Sequence, residues 1–66
     1  MNLLEERELL LNQCGYEVFV YIDAPNYNKY VYIIVKDKIN KIHKQGDFNS
    51  FKEAFEFGIN YIKTLL

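Results

Sequence analysis

Two runs in the middle of the chain, Tyr16–Asp23 and Lys29–Lys36, are apolar at nearly every position. Their β-branched and aromatic density predicts strands. Side chains of a strand alternate between faces. In the first run Val18, Val20 and Ile22 share one face, and Phe19 and Tyr21 the other. In the second, Val31, Ile33 and Val35 share one face, and Tyr30, Tyr32 and Ile34 the other. Between the runs, Ala24-Pro25-Asn26-Tyr27-Asn28 is turn chemistry, because proline fixes φ and asparagine tolerates positive φ. Asp37-Lys38 predicts a tight turn into a third strand, Ile39–Lys44, although the favoured glycine is missing. This strand is polar and lysine-rich, which suits an edge. Gln45-Gly46-Asp47 reads as a loop.

Helical spacing flanks the strands. From Asn2 to Cys14, Leu3, Leu10 and Cys14 form an apolar stripe with Leu4 and Leu11 beside it. Asn2 can cap this helix, and Glu5, Glu6 and Glu8 suit the positive end of its dipole. Gly15 ends it. Ser50-Phe51-Lys52-Glu53 is a capping box that opens a second helix, Phe51 to about Thr64. Its apolar face is Phe51, Phe55, Gly58, Ile62 and Leu65, flanked by Ala54, Ile59 and Leu66. A glycine in mid-helix predicts close approach to the sheet.

The elements predict a single α+β domain over residues 1–66. It has two layers in the order α-β-β-β-α, with a three-stranded antiparallel meander and both helices on one face. The aliphatic sets, including Val20 and Ile33, are expected under the helices. The aromatic sets, Phe19, Tyr21, Tyr30, Tyr32 and Ile34, are expected to point outward and form a contact surface.

Size makes that surface matter. A chain of 66 residues buries only about 60% of its unfolded surface, so such domains are marginal without a further source of stability. Cys14 is the only cysteine, which excludes an internal disulfide and fits a reducing compartment, the cytoplasm. One Cys and one His do not make a closed structural metal site. Eleven Phe and Tyr residues exceed what one small core needs. Association with a second copy, or with another protein, is the remaining source.

Net charge is −1, but its distribution is uneven. Residues 1–23 hold five carboxylates and one arginine. Residues 24–44 hold Lys29, Lys36, Lys38, Lys41 and Lys44 against Asp37 alone. This basic stretch suits either a solvated face or phosphate contacts. No stretch approaches the about 20 apolar residues of a membrane span, and no leader pattern is visible. Abundant Lys, Asn, Ile, Tyr and Phe point to an AT-rich bacterial, phage or mobile-element genome.

Chemistry is sparse. His43 has no carboxylate or thiol at ligand spacing and reads as an ordinary exposed histidine. Cys14 reads as a small buried hydrophobe. The glutamates at the start of the first helix are explained by its dipole. No phosphate-binding glycine loop, dinucleotide fingerprint or zinc spacing occurs. No catalytic residue, cofactor or metal is therefore expected.

The α-β-β-β-α order resembles the fold of double-stranded-RNA-binding domains across the whole chain. In that family a lysine-rich motif opens the second helix. The matching segment here, Asn49-Ser50-Phe51-Lys52-Glu53-Ala54, offers Lys52 alone, and the first-helix contacts would fall on Glu5–Glu8. The resemblance thus implies the fold without the RNA grip. The segment Phe48-Asn49-Ser50-Phe51-Lys52-Glu53-Ala54-Phe55-Glu56-Phe57-Gly58 is also similar to the endings of short uncharacterised bacterial and mobile-element proteins. HicB-type antitoxins share a β-β-β-α body with such a helix, but their Gly/Pro-rich motif is missing here. The sequence reading is a non-catalytic, homodimeric protein-interaction module. The alternative is a nucleic-acid-binding module that uses the five lysines with the tyrosine face.

Overall fold

Asn2 starts the first helix as its side chain requires: Oδ1 accepts the Glu5 N–H at 2.9 Å. The helix, α1, spans Leu3–Cys14 with Glu5 and Glu6 in its first turn. Gly15 stops it at φ +77°, where its N–H reaches the Leu10 and Leu11 carbonyls. The Gly15 carbonyl accepts the Asp37 N–H at 2.8 Å, so the helix end is tied to the second turn of the sheet.

Then follow β1 (Tyr16–Ile22), β2 (Tyr30–Lys36), β3 (Asn40–Phe48) and α2 (Phe51–Leu65). The computed structural model describes residues 2–25 and 28–66. Of the first turn, Asn26 and Tyr27 thus lie outside the described residues. Asp23 N–H to the Lys29 carbonyl, 2.9 Å, closes the hairpin around it. The sheet is a meander in the order β1-β2-β3, antiparallel throughout. In the second turn Asp37 (φ 55°) and Lys38 (φ 67°) both take the left-handed conformation, which mirror-image hairpin turns demand.

The third strand is longer than its sequence suggests, and Gln45-Gly46-Asp47 belongs to it. Register shifts between Tyr30 and Tyr32 and between Ile34 and Val35 place an extra residue in β3 each time. One lies beside Asp47, at φ 68°, and the other is Ile42. Two bulges break the period-two pattern, so the segment reads as a loop although it pairs as a strand.

α2 rests on all three strands, whereas α1 touches β1 and α2. Ser50 Oγ accepts the Glu53 N–H at 3.1 Å, and the Glu53 carboxylate accepts the Asn49 N–H at 3.3 Å. The helix buries Ala54, Phe55, Gly58, Ile59 and Ile62. Phe51 and Leu65, at its ends, remain exposed. Gly58 is where α2 meets the sheet: a Cβ there would stand 2.5 Å from Val18 Cγ2 and 3.2 Å from Tyr32 Cδ1.

The strands pair antiparallel, but the face assignment needs correction. Val18 lies opposite Ile34, Val20 opposite Tyr32 and Phe19 opposite Ile33. Val18 and Val20 face the helices as expected, together with Tyr30, Tyr32 and Ile34. Tyr32 is 1% exposed and Ile34 0%. The expected pairing of aliphatic with aliphatic sets requires a register displaced by one residue, which would turn all of β2 over. The observed register sets large side chains against small ones. The Tyr32 ring fills the space between β2 and the glycine notch of α2, across from Val20, and its hydroxyl reaches Gln45 Oε1 at 3.0 Å.

Gly58→Ala tests this seat. Alanine gains about 1 kcal/mol in helix propensity, whereas overpacking a stiff, buried valine costs about 1–3 kcal/mol. A net loss of roughly 1 kcal/mol is expected from these opposed terms, read as a lower urea midpoint. A raised midpoint would show that α2 does not sit on Val18 and Tyr32.

Candidate functional site: the outer face and free edge of the sheet

The side of the sheet away from the helices is apolar, although not with the expected residues. Alternation and register place Phe19, Ile33 and Lys44 in one row across it, and Glu17, Val35 and Lys41 in the next. Tyr21 and Val31 pair at the other end. Phe19 is 51% and Tyr21 39% exposed. Of the five residues expected on this surface, Phe19 and Tyr21 are on it. Tyr30, Tyr32 and Ile34 belong to the core or pack against it. The half-buried Ile33 and Val35 replace them, and Val31, on the same side, is buried.

Glu17 occupies this side of β1 but is buried. Arg7 reaches it from α1 with two hydrogen bonds, Nε to Oε1 at 2.6 Å and Nη2 to Oε2 at 3.0 Å. The bond to Glu17 raises the Arg7 pKa further, against the opposing effect of burial. Glu17 Oε1 also accepts the Val18 N–H at 2.9 Å. That N–H points outward from the free edge of β1. Odd-numbered residues such as Asp23, bonded to Lys29, point theirs toward β2, so those of Tyr16, Val18, Val20 and Ile22 point away. The signal for this lock was the only arginine of the chain, in an acidic helix, with a lone carboxylate inside an apolar strand.

The five lysines do not converge. Lys29 donates to Asn49 Oδ1 at 2.7 Å. At the far end of β2, Lys36 donates to the Cys14 carbonyl at 3.2 Å and lies 4.2 Å from the centre of the Tyr16 ring. Lys38 is in the turn. Lys41 and Lys44 lie on β3, and all three are exposed. His43 is not an ordinary exposed histidine. It is half-buried and stacks on Tyr61 at 3.8 Å and 8°, with its Nε2 buried and unpartnered. Its role is packing between β3 and α2, which the sequence hid because the strand looked like a solvated edge. Cys14 is a half-buried free thiol.

Among the described residues no three His, Cys, Asp or Glu side chains gather as a metal site would require. No helix there is long and apolar enough to cross a membrane. No family model matches the chain, and neither the curated proteins nor the solved structures yield a match.

The placement of Tyr32 has a measurable consequence. Burial, and to a lesser degree Tyr61, raises its phenol above the usual 10.0. The folded state therefore holds this proton more tightly than the unfolded state. The stabilisation is complete below the unfolded pKa and is lost as pH rises through the folded one. Urea midpoints measured from neutral pH to above pH 10 should fall for the natural chain and fall less for Tyr32→Phe. Equal slopes would show that Tyr32 titrates as an exposed phenol does.

Proposed function

We propose that this chain is a small, non-catalytic protein-interaction module that works as a homodimer and docks through the outer face of its sheet. The observation that carries the reading is the apolar outer face, where Phe19 and Tyr21 are exposed and Ile33 and Val35 half-buried, with α2 packed on the opposite side and α1 reaching only its Glu17 end. An apolar face on a domain of this size is costly to leave in water. The unpaired Cys14 supports a cytoplasmic setting, and composition supports a bacterial or mobile-element origin. The order of elements supports the likeness to double-stranded-RNA-binding domains in architecture. Against the nucleic-acid alternative stand the dispersed lysines, two of which are tied to the chain itself.

Phe19→Glu is the decisive variant. Tyr32→Glu would bury a charge in the core and report on folding instead. By sedimentation the natural chain should run as a dimer at high micromolar concentration. Phe19→Glu should weaken that association tenfold or more, about 1.4 kcal/mol or above, with an unchanged helical signal. Leu66→Glu, on an exposed residue of the helical layer, should leave it intact. A natural chain that stays monomeric would overturn the homodimer and leave a foreign protein as occupant. Affinity for single-stranded nucleic acid that falls steeply with salt would favour the alternative.

A further inference from the structure

The two edges of the sheet are not alike. β3 is protected: it carries Lys41 and Lys44, two bulges, and a left-handed Asp47. These are the devices by which edge strands avoid pairing. β1 has none of them. Its seven residues, Tyr16–Ile22, pair with β2 in unbroken register and include no lysine or proline. Its edge is closed only at Val18, whose N–H Glu17 takes.

Among the described residues, the N–H groups of Val20 and Ile22 find no such partner. Both point outward from the edge, by the same alternation that turns Asp23 toward Lys29. Ile22 is on the helix side of the sheet, yet it is 48% exposed. The inner layer is therefore short of cover at the point where the edge is open.

We propose that β1 pairs antiparallel with β1 of a second copy, about a two-fold axis through Tyr21. Such a register sets Val20 opposite the partner's Ile22 and exchanges two N–H···O bonds in each of two symmetric pairs. It uses the two free donors and leaves the Glu17–Val18 bond intact. It also ends where Ala24-Pro25 leaves the strand. A register centred on Val20 instead needs the Val18 N–H and must break the Arg7–Glu17 lock. Pairing of β1 with β3 of another copy would be head-to-tail and grow a filament, and the bulges and lysines of β3 oppose it. The self-complementary set is β1 with β1. The result is one six-stranded sheet whose outer face joins the Phe19 and Tyr21 side chains of both copies.

This inference rests on the self-association proposed above and moves its contact from the outer face of the sheet to the β1 edge that borders it. Cysteine scanning in a Cys14→Ser background separates the two. Residues 21 of the two copies would form a non-hydrogen-bonded pair, with Cα atoms about 4.5 Å apart, a spacing that a disulfide bridges. Residues 33, which lie beside Phe19 and so off the axis, would be about 14 Å apart across the sheet and farther still along it, beyond any disulfide. Under mild oxidation Tyr21→Cys should give a covalent dimer and Ile33→Cys should stay monomeric. Cross-linking of both variants would mean that the sheets pack face to face, which overturns the edge pairing and keeps the homodimer. No cross-link in either, with a natural chain that sediments as a dimer, overturns the edge pairing alone. A natural chain that sediments as a monomer overturns both. A natural-sequence chain made by total synthesis with an ester in place of the Val20 amide loses one edge donor per copy and weakens, without removing, the Phe19 carbonyl's bond to β2. It should dimerise at least tenfold more weakly, and unchanged dimerisation overturns the pairing.

Discussion

In the first hairpin Val20 lies opposite Tyr32 and Val18 opposite Ile34, and this register decides which side chains the helices cover. It brings Tyr32, among the described residues the largest fully buried side chain, under Gly58. A strand slipped by one residue would turn that ring to solvent and its neighbours with it. The ring reaches beyond the hairpin, since Tyr32 packs on His43 and Phe48 of β3, and His43 stacks on Tyr61 of α2. One cross-strand pairing thus couples all three strands to the second helix.

The same register sets what remains outside. With Tyr30, Tyr32 and Ile34 turned inward, the outer side of the sheet is left to the exposed Phe19 and Tyr21 and the half-buried Ile33 and Val35. Two helices cannot cover both faces of a sheet when both lie on one side. The first helix contributes at the edge instead. Through Arg7 it holds Glu17 against the Val18 N–H and closes one end of β1. A small domain with an apolar face and a half-open, unbulged edge has the features that association satisfies.

The elements were legible because each has a local cause. Asn2, Gly15 and Ser50 mark helix ends by the hydrogen bonds or the backbone conformation they supply, and Gly58 marked a close approach before its partners were known. The two central strands declare themselves by β-branched density. What local pattern did not carry was the relation between strands. Both runs are apolar on both faces, so alternation alone fits either register. The choice falls to volume, a large Tyr32 against a small Val20 and a glycine notch. The C-terminal half of β3 was hidden by bulges, and His43 by the polar residues around it. For the candidate surface, this means that Phe19 and Tyr21 could be placed from sequence and the β2 residues could not.

Amide hydrogen exchange as a function of protein concentration tests the central claim most directly. Val18 N–H, held by Glu17, and Tyr21 N–H, directed at β2, should be slow at every concentration. Val20 and Ile22 should exchange quickly in dilute solution and become protected as concentration rises and a second β1 takes up their edge. If Val20 and Ile22 exchange quickly at all concentrations, the free edge of this sheet is not where a second copy attaches.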